Sequence, residues 1–192
     1  GQVSPPTDWD TWLLLAGRGY GKTRTGAEFI RDQVMSGSAK SVAFIAQDPA
    51  DARNIMIDGE SGIRAVSPPS ERPYYNGGKK ILYWPNGAKG FVFSGHEPDG
   101  ARGYQFDLGW CDELCAWKYA REVWDNYEFG LRLTGPDGSR PRTIITTTPK
   151  PSRLLSEIMK DDGTSITTGS TYDNISNLAP TFFKKVVRRY EG

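Results

Sequence analysis

The chain has 192 residues, enough for one α/β domain with a sizeable core. A net charge of +1 argues against holding DNA by bulk charge alone, and no run of about eighteen apolar residues exists, so no membrane span is expected. GQVSPPTDWD lacks the basic start and apolar stretch of a secretory signal, and Cys111 and Cys115 have no His or Cys cluster beside them, which argues against zinc and for a reduced, cytosolic setting.

The apolar run WLLLA (12–16) reads as a central strand. A glycine-rich turn follows. Ala27, Ile30 and Val34 then recur at helical spacing, and Gly37 fits the C-terminal cap. SVAFIA (41–46) is the next strand. DPADARNIMIDG (48–59) opens a helix with Asp48 as N-cap and Pro49 at the first helical position, and stops at Gly59. Strand, helix, strand, helix in this order implies parallel crossover connections.

SPPSERPYYNGG (67–78) reads as a loop. KILYW and GFVFS flank PNGA and read as a β-hairpin turned at Asn86-Gly87, a decoration on the parallel core. FDLGWCDE (106–113) is a buried strand ending in two carboxylates. AWKYAREVWDNYEFGLRL (116–133) has the pattern of a long amphipathic helix. RTIITTTP (142–149) is a strand closed by proline, SRLLSEIMK a short helix, SITTGS a strand and APTFFKKVVRRY a final helix. At least five parallel strands are expected. The six tryptophans read as core and His96, the only histidine, as an unpaired surface residue.

Chemistry concentrates at three places. Gly17, Arg18, Gly19, Tyr20, Gly21, Lys22 and Thr23 stand between a strand and a helix, as a phosphate-binding loop does. Glycines let successive N–H groups turn inward, the helix dipole favours the anion, Lys22 reaches the β- and γ-phosphates, and the Thr23 hydroxyl suits Mg²⁺. Ala16 stands where the usual pattern has glycine. Asp112 and Glu113 close a core strand, where ligands of open α/β sheets bind. Asp112 suits a Mg²⁺ ligand and Glu113 a base that orients and deprotonates water. Thr146, Thr147 and Thr148 end a strand; their hydroxyls fit γ-phosphate sensing or a water-holding role, and equally plain β-propensity. Arg18 is placed to contact nucleotide in cis. Arg102, in DGARGYQFD, reads on the residues alone as a surface arginine.

PPTDWDTWLLLAGRGYGKTRTGAEFIR resembles the start of the ATPase domain of large terminase subunits from tailed phages, the motors that pump DNA into procapsids. GRGYGKTR, GESG (59–62), EPDGARGYQFDLGWCDE, RTIITTTP and GSTYDNISNLAP resemble its segments in order, across nearly the whole chain. The resemblance implies a P-loop NTPase of the RecA-like ASCE class: a three-layer α/β fold with a mainly parallel sheet and an added hairpin. It implies one domain over 1–192, with a core of about 10–170 and a segment of about 171–192 leading toward a nuclease domain. It implies ATP and Mg²⁺ as cofactors, with Lys22 and Thr23 at nucleotide and metal and Asp112 and Glu113 as metal carboxylate and catalytic glutamate. Arg18 matches an arginine that contacts nucleotide, and Arg102 one offered to a neighbouring subunit. Thr146, Thr147 and Thr148 match the segment that couples hydrolysis to movement, and Gln2 a glutamine that reads adenine.

Implied partners are double-stranded DNA, a homo-oligomeric ring (a pentamer on the portal), the portal protein and the small terminase subunit, in host cytoplasm at the procapsid. No carboxylate cluster follows the ATPase motifs, so no nuclease activity is expected from these residues. Two other readings share the core: a helicase- or recombinase-type ATPase, and a nucleotide-dependent binding module with little turnover. The hairpin and the basic run 184–189 are both candidates for touching DNA; the plainer reading of each charge run is a solvated face.

Overall fold

The computed structural model describes residues 3–5 and 8–169. Among the described residues eight strands form one sheet: β1 (Thr11–Ala16), β2 (Ser41–Ala46), β3 (Tyr74–Asn76), β4 (Ile81–Tyr83), β5 (Lys89–Ser94), β6 (Leu108–Asp112), β7 (Arg142–Thr147) and β8 (Thr164–Gly169). Their order across the sheet is β3-β4-β5-β2-β6-β7-β1-β8. From β5 to β8 every pairing is parallel; β3–β4 and β4–β5 are antiparallel. The α-helices are α1 (Lys22–Met35), α2 (Pro49–Asp51), α3 (Ile63–Val66), α4 (Ala120–Gly130) and α5 (Arg153–Lys160).

The central strands are nearly continuous apolar runs because both faces of the sheet are covered. Alternate residues feed two separate cores. Trp12, Phe44, Trp110 and Ile144 pack with α1, while Leu13, Ile45, Cys111 and Ile145 pack with α4 and α5. This is a three-layer α/β domain. All six tryptophans are buried, Trp9 and Trp12 among them, packed on Phe29 of α1.

The hairpin turns at Asn86-Gly87, where Gly87 takes φ 93, and its second strand lies parallel to β2. It therefore extends the core sheet. Several expectations differ in detail. The loop 67–78 contains the short edge strand β3. Asp48 caps α2 by accepting from Asp51 N, but a π-helical segment (Ala52–Ile57) continues it. The helix expected over 116–133 is shorter, because the Trp117 indole donates to Asp112 O at 2.9 Å and holds that residue extended. Tyr119 N then bonds Gly95 O, and α4 starts only at Ala120. It stops at Gly130, where a Cβ would meet Tyr104 O at 2.5 Å. His96 is half-buried rather than unpaired: its Nδ1 accepts from Lys118 N at 3.1 Å. The final helix, the run 184–189 and GSTYDNISNLAP beyond Gly169 lie outside the described residues.

Candidate functional site

The loop between β1 and α1 crosses the carboxyl edge of the sheet. Gly19 and Gly21 adopt φ 79 and φ 86, a left-handed backbone that glycine takes without steric cost. Gly21 is the N-cap of α1, and its carbonyl accepts from Thr25 N at 2.9 Å. The start of the helix thus opens toward the loop, with Lys22 and Thr23 as its first two residues.

β6 lies two strands from β1, with β7 between them. Asp112 ends β6 opposite Thr146 of β7 in parallel register. Asp112 is buried, and Thr146 Oγ1 donates to its Oδ1 at 2.7 Å. Burial pushes the Asp112 carboxyl up to about 7, while the Thr146 hydrogen bond and the Lys22 charge pull it down.

Glu113 follows with φ 50, an uncommon conformation for a residue with a side chain. Its N–H bonds Thr146 O at 2.7 Å, and its carbonyl accepts from Ala116 N at 2.9 Å. The kink swings the carboxylate off the strand line. Thr148 N donates to Oε2 and Thr148 Oγ1 to Oε1, each at 3.2 Å. Lys22 Nζ sits 3.9 Å from Oε1 and donates to Ala16 O at 2.9 Å, Gly17 O at 3.0 Å and Thr148 Oγ1 at 3.5 Å.

A cleft of about 570 Å³ lies over these groups. Arg18, Gly19, Tyr20, Gly21, Lys22, Thr23, Asp112 and Glu113 all line it. Gly17 stands at its edge through the Lys22 contact. Thr146 and Thr147 are fully buried beneath the strand ends. Thr147 Oγ1 accepts from Cys115 N at 3.4 Å and so braces the turn after Glu113. Arg102 is not brought in: its side chain is 70% exposed and pairs with Asp99 at 3.2 Å. Gln2 lies outside the described residues.

The far wall of the cleft comes from Asn54, Ile55, Gly59, Glu60 and Ser61, none of which was singled out as a site residue. Asn54 and Ile55 sit in the π-helical turn, a distortion frequent at functional sites, and nothing in the local pattern of DARNIMIDG announces it.

The donor set fits a Mg²⁺ ion held together with phosphates. Among the described residues no three His, Cys, Asp or Glu side chains gather as a metal cage, and Thr23 and Asp112 face one cleft. Mg²⁺ is usually bound this way, through one or two protein groups plus phosphate oxygens.

Solved structures share this fold. The Thermus phage P74-26 large terminase ATPase domain superposes with a TM-score of 0.64 at 13% identity, over 96% of this chain and 84% of that one. The large terminase of a thermophilic bacteriophage gives 0.67 at 14% identity, over 100% of this chain and 48% of that one. The same terminase in complex with ADP gives 0.67 at 15% identity, over 99% of this chain and 46% of that one. The chain thus spans about half the length of that second terminase and has the RecA-like fold of large terminase ATPase domains. No curated protein matches it by sequence. Residues 13–192, nearly the whole chain, match the family described as "Terminase large subunit, T4likevirus-type, N-terminal", and the chain belongs to that family.

Proposed function

We propose that this chain is the ATP-hydrolysing motor domain of a phage large terminase and drives double-stranded viral DNA into procapsids. One observation carries the reading. Lys22 and Thr23 of a glycine-rich loop share a cleft with Asp112 and with a Glu113 carboxylate aimed by Thr148. A glutamate tethered beside the phosphate-binding lysine is placed to orient water and take its proton. Thr23 and Asp112 would hold Mg²⁺, which when bound offsets the charge of the β- and γ-phosphates.

The roles divide among these residues. The loop N–H groups and Lys22 bind and orient the triphosphate. Arg18 contacts the nucleotide from the cleft rim. Thr148 reports the state of Glu113 and Lys22 to β7, and Thr146 and Thr147 carry that report into the core, which is how hydrolysis is coupled to movement. Arg102, exposed on the surface, serves a neighbouring subunit in a homo-oligomeric ring, a pentamer on the portal. The small terminase subunit and DNA are the other partners, in host cytoplasm at the procapsid. Residues 1–192 act as one ATPase domain without nuclease chemistry.

The test is ATP turnover in excess ATP and Mg²⁺, comparing the unaltered chain with Glu113→Gln. Turnover in the unaltered chain, lost by at least about a hundredfold in Glu113→Gln with nucleotide binding retained, is the expected result. Nucleotide binding without turnover in the unaltered chain would overturn the reading in favour of a binding module.

A further inference from the structure

We propose that Trp110 is a positioning residue for the Asp112 carboxylate, acting through the Thr146 hydroxyl. The inference rests on the ATPase reading above. Its basis is a buried chain of two hydrogen bonds. Trp110 Nε1 donates to Thr146 Oγ1 at 2.8 Å, and Thr146 Oγ1 donates to Asp112 Oδ1 at 2.7 Å. Trp110 and Thr146 are fully buried and Asp112 nearly so.

The chemistry of the donors sets the direction of this chain. An indole N–H only donates, and a threonine hydroxyl has one proton. With the indole proton on its oxygen, Thr146 directs its own proton to the carboxylate. The ionised carboxylate only accepts, so Thr146 is the donor to Oδ1, and the indole N–H on the hydroxyl's lone pair holds that O–H in line. Among the described residues no hydrogen bond reaches Oδ2, which is the oxygen available to a cation. Partners one step behind a metal ligand fix its orientation in this way.

Packing sets where the indole sits. Trp110 and Asp112 are two residues apart on β6, so both side chains leave the same face of the sheet, the face that α1 covers. A Cβ at Gly26 would lie 2.4 Å from Trp110 Cε2 and 2.7 Å from Nε1. Gly26 stands one turn beyond Lys22 in α1. The helix that begins at the phosphate loop is therefore notched to admit this indole. Trp110 touches that helix directly and touches the metal carboxylate through one hydroxyl. It sets the spacing between the two halves of the site.

The experiment uses Mn²⁺ as the probe metal. Free Mn²⁺ is read from its electron paramagnetic resonance signal with the protein saturated with ADP. Binding of a fluorescent ADP analogue is read separately in EDTA. Trp110→Phe keeps an aromatic ring and removes the N–H; Thr146→Val removes the hydroxyl at similar shape; Thr146→Ser retains it. Trp110→Phe and Thr146→Val are each expected to weaken Mn²⁺ about tenfold, with metal-free nucleotide binding unchanged. Thr146→Ser keeps the unaltered affinity. The double variant Trp110→Phe/Thr146→Val loses no more than either single one, because both break one chain. Replacing Trp110 by benzothienylalanine, which has sulfur in place of N–H at nearly the same volume, repeats the test where Phe leaves a gap. The proposal is overturned if the N–H-deleted proteins bind Mn²⁺ as the unaltered chain does. It is equally overturned if they lose metal and metal-free ADP in parallel, as a loosened fold would. An unaltered chain that binds no ADP overturns the ATPase reading, and this inference with it.

Discussion

Thr148 holds Glu113 by two hydrogen bonds, from its backbone N–H to Oε2 and from its hydroxyl to Oε1, each 3.2 Å long. The same hydroxyl accepts from Lys22 Nζ at 3.5 Å. One residue after β7 thus touches both Lys22 and the carboxylate beside it. Because Glu113 stands at φ 50, off the strand geometry, this tether and not the strand aims its carboxylate.

Removing the hydroxyl alone loosens that aim. Thr148→Val is expected to lower kcat about tenfold and to leave KM for ATP nearly unchanged, since misplacing a catalytic group costs rate more than binding. Thr148→Ser keeps the hydroxyl and near-normal turnover. Steady-state kinetics on the three proteins check this, with thermal midpoints expected to coincide.

The buried Asp112 makes stability depend on pH. Its folded value of about 7 lies above the ordinary 3.8, so the folded state binds the proton more tightly between the two. That contribution is fully present below about pH 4 and is lost as pH rises through about 7. Metal-free protein is expected to lose on the order of 4 kcal/mol from this group across that window. Asp107 and Glu128 are also raised by burial, so the comparison that isolates Asp112 is Asp112→Asn, whose pH profile of denaturant unfolding should be flatter by that amount.

Gly26→Ala pits two effects against each other. Alanine favours a helix by about 1 kcal/mol over glycine. The added methyl meets the Trp110 ring at 2.4 Å, and overpacking a filled core costs about 1–3 kcal/mol. The ring is fully buried between α1 and β6, so the cost outweighs the gain and a net loss of up to about 2 kcal/mol is expected in urea unfolding.

Arg102 carries little of the fold. It is exposed and its ion pair with Asp99 is worth about 0–1 kcal/mol. Arg102→Ala should unfold at the same denaturant concentration and bind nucleotide as the unaltered chain does. In the unaltered chain, turnover per molecule is expected to rise with protein concentration as neighbours complete each site, and Arg102→Ala should abolish that rise. Rates measured across a wide concentration range decide it; a flat rate in the unaltered chain would leave Arg18 as the arginine at work.

What is local was legible. The strand before Gly17, the helix after it and the positions of Gly19 and Gly21 follow from runs of a few residues. So does the end of β6 at Asp112, because a buried parallel strand shows itself as an unbroken apolar stretch. The short edge strand β3 was not legible: three residues among prolines and glycines give no alternation to read, and pairing with β4 makes the strand. Nor was the late start of α4, where a helical pattern is overridden by the Trp117 indole bonded to Asp112 O. The part of the far wall at Asn54 and Ile55 was not legible because its signal is a backbone distortion, not a residue pattern.

Read along the chain, the residues single out a glycine-rich loop with its lysine, two adjacent carboxylates and three threonines as candidates. Those are properties of neighbours in the chain. What the threonines touch is set by the packing of the strands. β6 and β7 are separated in sequence by α4 yet lie side by side, in a register that sets Asp112 opposite Thr146. That register turns Thr146 into the partner of one carboxylate and Thr148 into the tether of the other. It lets an indole at position 110 reach the Asp112 carboxylate through a hydroxyl 36 residues away. Hydrogen bonds act over about 3 Å, and which groups fall within that reach is set by how strands are ordered in the sheet.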